Sequence, residues 1–404
     1  MKASLDTPTI GMVVLQPTPF CNINCSYCYL PQRSDKSVMA DATIRAAFER
    51  VFASGWASDD LSVIWHAGEP LVLAPEFYER AFQAIEAVRP TSVHVRHSMQ
   101  TNGMLISREW CELFKSWRVG VGVSIDGPKQ FNDAHRVTRT GKSTFDRALA
   151  GIRLLRAERV PFHVISVLSE RSMDSVEEML AFYDSEGIED ICFNVEESEG
   201  AHVSELFSSD DLQARFGRFL GMFWRLARSR GRIRFIREID GMLPRVFRPA
   251  SESVRNIQVE PFSMVNIDCN GTVSTFSPEL LGLSSKHYQD FIIGNVHSSS
   301  LEEMRASEAL SVMARDIASG VETCRQTCGY FSVCGGGAPV NKLFENGSFA
   351  TGRTSFCDLT QKVPIDLILD AFERLEGGLE EANLGELAQR ALARARGLGM
   401  AMGS

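Results

Sequence analysis

Short runs rich in β-branched residues alternate along the chain with longer segments whose apolar positions recur every three or four residues. The strand-like runs are "MVVLQ" (12–16), "LSVIWH" (61–66), "VHVRHSM" (93–99), "VGVGVSI" (119–125), "FHVISVL" (162–168) and "DICFNVE" (190–196). Helical periodicity occupies about 40–54, 75–88, 107–117, 143–158, 172–186 and 209–229. Near-continuous apolar strands separated by amphipathic helices predict a parallel sheet covered on both faces. Six such units predict an α/β fold, a partial (β/α)6 barrel two units short of the full TIM form. Asp41, Ser107 and Ser172 are candidate N-caps for three of the helices.

Past about residue 240 the pattern changes. Residues 255–360 are rich in Gly, Ser, Asn and Cys, with short strand-like pieces and little long periodicity. Such a stretch is expected to need a metal staple. The tail reads as two helical pieces broken near Gly377–Gly378, with packing as its default role. Three regions follow: 1–240, a barrel; 241–362, a cysteine-rich extension; and 363–404, a helical tail. No internal repeat or low-complexity segment is visible.

Composition narrows the classes. In 404 residues, 42 basic against 51 acidic side chains give a net charge of −9, which argues against nucleic-acid or anionic-membrane partners. No run approaches the roughly 18 apolar residues of a membrane span. The opening "MKASLDTPTIG" lacks the apolar run of a secretion signal, so a reducing cytoplasm is expected. There, ten cysteines point to metal or catalysis rather than disulfides. Cys111 and Cys192 stand singly in helix-like and strand-like surroundings and read as small buried hydrophobes.

Three cysteines crowd the loop after the first strand, Cys21, Cys25 and Cys28 in "PTPFCNINCSYCYLP". A disulfide uses two thiols and a structural zinc site wants four. Three thiolates can hold three irons of a [4Fe–4S] cluster and leave the fourth open to a substrate. A zinc loop borrowing a distant fourth ligand is the alternative. The spacing C-x3-C-x2-C, with aromatic Tyr27 before the last cysteine, resembles the radical S-adenosylmethionine (SAM) superfamily. In that family the open iron is chelated by SAM, which is split to a 5′-deoxyadenosyl radical able to remove hydrogen from unactivated carbon. "WHAGEP" (65–70) is similar to the family's GGEP loop, with Ala67 in place of its first glycine. The resemblance implies SAM contacts at Tyr27, Gly68, Glu69, Gln100 and Asn102 of "QTNG", and Ser124 and Arg136 of "SIDGPKQFNDAHR". The serine and arginine match the anaerobic sulfatase-maturase branch, where they bind the SAM carboxylate.

A second group comprises Cys324, Cys328 and Cys334 of "ETCRQTCGYFSVCGGGAP", and Cys357 of "SFCDL". The layout resembles the SPASM extension of peptide-modifying radical SAM enzymes, which usually carries two auxiliary clusters on seven cysteines. Here Phe276 and Ala338 stand where two cysteines of the first auxiliary site are usual. Cys269 is that site's main remnant. One auxiliary [4Fe–4S] cluster at Cys324, Cys328, Cys334 and Cys357 is therefore implied, with a tetrahedral zinc site as the alternative.

The stretches "STFSPELLG", "DFIIGNV", "CGYFSVCGGGAPVNKLFENGSF" and "FNVEESEG" look like the cyclophane-forming maturases, especially the glycine-rich repeat modification (GRRM) group. That resemblance implies abstraction of a side-chain hydrogen from a small ribosomal precursor peptide. A carbon–carbon bond to an aromatic ring then forms, with a flavodoxin or ferredoxin as electron donor. Glu279 is the candidate base; His66 and His97 are weaker ones. Formylglycine formation of the sulfatase-maturase type is the enzymatic alternative, and a zinc-stapled peptide-binding protein the non-enzymatic one.

Overall fold

The six apolar runs become six neighbouring strands, Ile10–Leu15 (β1), Ala57–Trp65 (β2), His94–Thr101 (β3), Gly120–Ser124 (β4), Phe162–Leu168 (β5) and Asp190–Val195 (β6). They pair in parallel in chain order. The structure is a computed structural model that describes residues 7–198, 200, 202, 204, 206, 211–249, 251–252, 254–373, 389–395 and 397–398. The break expected near Gly377–Gly378 lies outside the described residues.

Helices follow the strands because their apolar stripes need the sheet. In Asp41–Ala53, Ile44, Ala47, Phe48 and Val51 are buried, the spacing of one helical face. Pro75–Val88, Arg108–Trp117, Phe145–Ala157, Val176–Glu186 and Leu212–Arg230 repeat the plan. Of the three expected caps, Ser107 accepts from Trp110 N as read. Asp41 instead lies in the first turn after Ala40, and Ser172 lies inside a short helix capped by Ser169. Cys111 and Cys192 are buried, as their apolar surroundings suggested.

The sheet continues on both sides of the six strands. Phe235–Ile236 (β7) pairs with β6, and Met264–Ile267 (β8) lies parallel to β1 on the other flank. Thr272–Thr275 (β9) and Gly294–Asn295 (β10) then add antiparallel. The order β10-β9-β8-β1-β2-β3-β4-β5-β6-β7 is an open sheet, with no pairing between its two ends among the described residues. The β8–β9 turn has the sequence Asn270–Gly271; Gly271 supplies the positive φ that a tight hairpin turn requires.

The cysteine-rich stretch is more helical than expected. Glu308–Thr327 is a 20-residue helix capped by Ser307, and it buries Leu310, Met313, Ile317 and Gly320. Its Gly, Ser and Thr content hid a narrow apolar stripe. Among the described residues, no helix is long and apolar enough to cross a membrane.

Candidate active site

The three-cysteine loop has little regular structure of its own and is fastened from outside. Asn24 N donates to Val137 O at 2.7 Å and Ser26 N to His135 O at 3.0 Å. Arg33 Nη1 donates to Cys25 O at 2.9 Å, and Arg139 Nη1 to Cys21 O at 2.8 Å. These bonds satisfy backbone oxygens that irregular chain would leave without partners. The loop thereby lies at the carboxyl end of β1, against the segment that follows β4.

Cys21, Cys25 and Cys28 line a cavity of about 600 Å³. All three are free thiols. Burial, with the Glu69 charge and the neighbouring thiols adding to it, pushes Cys21 up to about 12, and burial pushes Cys25 up to about 11 against the Arg136 charge. A bound metal would have to displace those protons. Among the described residues, no three His, Cys, Asp or Glu side chains converge closely enough for one metal ion. Three thiols on one cavity wall match a polynuclear cluster in which each of three irons takes one sulfur, whereas a tetrahedral zinc would need a fourth ligand. The donor set fits the cluster.

The ends of β3 and β4 and the segments after β2, β3 and β4 bring the remaining expected residues to the same cavity: Gly68, Glu69, Gln100, Asn102, Ser124 and Arg136, with Tyr27 from the cysteine loop. Glu69 is buried, and accepts from Thr101 Oγ1 at 2.6 Å, Asn102 N at 2.8 Å and Leu71 N at 3.0 Å. Burial raises its pKa against those donors. Gln100 Nε2 donates to Ser124 Oγ at 2.8 Å. Arg136 forms a buried ion pair with Asp126 at 3.0 Å, and Tyr27 donates its hydroxyl to the same carboxylate at 2.5 Å. Val167 N binds the other Asp126 oxygen at 2.9 Å. Asp126 thus orients both an arginine and a tyrosine of the cavity wall. The sequence reading did not single it out, although it lies in the quoted "SIDGPKQ" stretch.

Glu279 also lines the cavity and accepts from Ser277 Oγ. Facing the same space is Glu197, which the sequence reading passed over; Asn341 Nδ2 donates to it at 2.6 Å. Burial, with the Glu279 charge adding to it, pushes Glu197 up to about 8, and burial raises Glu279 as well. The signal available for Glu197 was its place just after β6, within the quoted "FNVEESEG". His66 lines the cavity, and burial lowers it to about 4. His97 is placed elsewhere, stacked on Phe82 at 4.1 Å and accepting from Trp65 Nε1 at 3.3 Å.

Of the second thiol group, Cys334 lines the cavity, while Cys324, Cys328 and Cys357 do not. All four are free. Gly337 N donates to Cys334 Sγ at 3.1 Å, Thr354 N to Cys357 Sγ at 3.3 Å, and Lys342 Nζ to Cys324 Sγ at 3.3 Å. Donors aimed at sulfur fit a thiolate-bound group, and they act against burial, which raises Cys334 and Cys357. Phe276 is buried in the core with a positive φ, and Ala338 is a buried part of the cavity wall. Cys269 is buried, and burial pushes it up to about 11.

Residues 15–183 match the family model of the radical SAM superfamily. An uncharacterized protein of Synechocystis sp., sll1766, is 36% identical over 371 residues, covering 91% of this chain and 93% of that protein. The serine-type anaerobic sulfatase-maturating enzyme of Klebsiella aerogenes is 32% identical over 264 residues, 63% of either chain. The solved structure of native anSMEcpe with bound AdoMet and Cp18Cys peptide superposes with a TM-score of 0.74 at 19% identity, covering 94% of this chain and 99% of that one.

Proposed function

The chain belongs to the radical SAM superfamily, and from that premise we propose that it modifies a ribosomal precursor peptide by joining a side-chain carbon to an aromatic ring. The observation that carries this reading is the single cavity on which Cys21, Cys25, Cys28, the expected SAM contacts, the Glu197–Glu279 pair and Cys334 all meet. Cys21, Cys25 and Cys28 would hold a [4Fe–4S] cluster that with SAM would supply a 5′-deoxyadenosyl radical, and Cys324, Cys328, Cys334 and Cys357 would hold an auxiliary cluster able to take up an electron.

The residues divide the remaining work. Arg136, held by Asp126, presents a guanidinium suited to the SAM carboxylate. Glu69, Gln100, Asn102 and Ser124 supply polar groups at the rim, and Gly68 lets backbone approach closely. The cross-link removes two hydrogens from the peptide. One leaves as an atom to the nucleoside radical; the other leaves the ring as a proton, accompanied by an electron. Burial and mutual repulsion keep Glu197 protonated near neutral pH. Burial raises Glu279 too, and its place on the cavity wall beside Ser277 makes it the candidate to take the ring proton.

Sulfatase maturation is the second reading, favoured by the likeness to the Klebsiella enzyme. Anaerobic incubation with SAM, a reductant and the small peptide encoded beside this protein, followed by mass spectrometry, separates the two. Cross-linking lowers the peptide mass by two hydrogens and suppresses fragmentation between the joined residues. Formylglycine from serine lowers it equally but fragments normally and reacts with a hydrazide; formylglycine from cysteine loses sulfur. An aldehyde with full fragmentation would replace the cross-linking proposal.

A further inference from the structure

Lysine is rarely buried without a partner that needs its charge. Lys342 is only 3% exposed, and its amine meets the Cys324 sulfur at 3.3 Å. The space is prepared from the facing helix. Gly320 lies one turn before Cys324 in Glu308–Thr327, and a Cβ there would stand 2.2 Å from Phe349 O, 2.8 Å from Thr351 O and 3.2 Å from Lys342 Nζ. A side chain at position 320 would displace both carbonyls and the lysine head.

Other cations near these thiols are committed elsewhere. Arg353 and Lys362 both bind Asp358, at 2.7 and 2.6 Å. Arg245 donates to the carbonyls of Val333 and Cys334 at 2.9 and 3.2 Å. Lys342 reaches a sulfur directly. Its helix, Pro339–Asn346, also carries Asn341, which holds Glu197 in the cavity. Consecutive residues therefore touch a cavity carboxyl and a thiol of the second group.

We propose that Lys342 is a positioning residue that sets the reduction potential of the cluster bound through Cys324, making that cluster a stronger electron acceptor. The inference rests on the auxiliary-cluster reading above. The electron concerned is the one that the peptide radical gives up as its ring loses a proton. Uptake of that electron adds one negative charge beside the ammonium, in a buried setting where Coulomb interactions are weakly screened. The cation stabilises the reduced state more than the oxidised one, and the potential rises.

The test uses full-length protein carrying Cys21→Ala, Cys25→Ala and Cys28→Ala, so that one cluster remains to be titrated. Iron and sulfide are counted, and the midpoint potential is followed by electron paramagnetic resonance during anaerobic reduction. If this protein binds no iron–sulfur cluster, the auxiliary-cluster reading fails and the inference with it. If it binds one, adding Lys342→Met should keep the iron and move the midpoint to a more negative value, while Lys342→Arg stays nearer the parent. Retained iron with an unchanged midpoint in Lys342→Met overturns the proposal and leaves the cluster reading standing. If Lys342→Met binds no iron, Lys342→Arg decides. Iron with a near-parent midpoint supports the proposal; iron with a strongly lowered midpoint, or no iron, overturns it.

Discussion

Ala67 and Gly68 are neighbours in the loop after β2, both with left-handed backbone at φ of 70° and 62°, yet their tolerance of substitution differs sharply. For Ala67 three small terms oppose one another. Glycine would relieve about 1–2 kcal/mol of left-handed strain, lose about 0.8 kcal/mol of buried methyl and add about 0.4–1 kcal/mol of unfolded-chain entropy. Ala67→Gly should therefore change stability by less than about 1 kcal/mol and leave iron content intact. At Gly68 a Cβ would fall 2.4 Å from Thr18 O and 2.6 Å from Phe20 O, backbone atoms leading directly into Cys21. Gly68→Ala should displace that segment and lower both iron content and SAM cleavage at least tenfold. Anaerobic melting, iron assay and 5′-deoxyadenosine release measure the pair; equal behaviour of the two variants would contradict the geometry.

At the scale of elements, the segment 389–395 docks on the sheet through an apolar contact and an ion pair. Ala391 and Ala395 pack with Phe235 of β7, and Arg394 binds Asp190 at the start of β6 through two bonds of 2.5 and 2.8 Å. Asp190 is buried, and burial raises its pKa even with the arginine present. Arg394→Met removes the partner and raises it further. A carboxyl whose folded pKa lies above its unfolded value withdraws stability as pH rises and restores it as the group protonates. The variant should lose about 2 kcal/mol at pH 8, within the range for an ion pair partly open to solvent, and less at pH 5. Anaerobic urea melts at both values test this, and a loss independent of pH would show that the pair contributes only packing. The same scale explains what was legible in the sequence. Strands β1, β4, β5 and β6 announce themselves because burial leaves mostly apolar residues in them, whereas β3 sets polar His94, Arg96 and His97 among its few apolar positions. The rim residues were legible through motifs shared with a known family rather than through position, since Gln100 and Ser124 lie within β3 and β4 and Arg136 well past β4. Strands β8 to β10 are too short for a period, and β8 reaches β1 from some 250 residues away, a pairing that no local pattern encodes. Asn341 and Lys342 lie on a helix whose neighbours come from distant parts of the chain, so neither gave a local signal.

For the molecule as a whole, the question is whether two thiol groups so far apart in sequence hold one metal centre or two. Cys21, Cys25 and Cys28 lie in the loop after β1, whereas Cys324, Cys334 and Cys357 belong to helices beyond β10 and Cys328 caps one of them. Only Cys334 of the second group shares the cavity with the first. Each group is fastened by its own bonds: the first by Arg33, Arg139 and the 135–137 backbone, the second by Gly337, Thr354 and Lys342. Sites without shared ligands or shared supports behave additively. Reconstituted protein should hold about eight iron atoms. Replacing the first three cysteines by alanine should leave about four and abolish 5′-deoxyadenosine formation. Replacing the last four should also leave about four, with SAM cleavage retained and peptide modification lost. Zinc in place of iron at the second group would convert it to a structural staple and remove the electron acceptor that the cross-linking reaction needs. Loss of all iron from either replacement would mean that the two groups assemble as one centre.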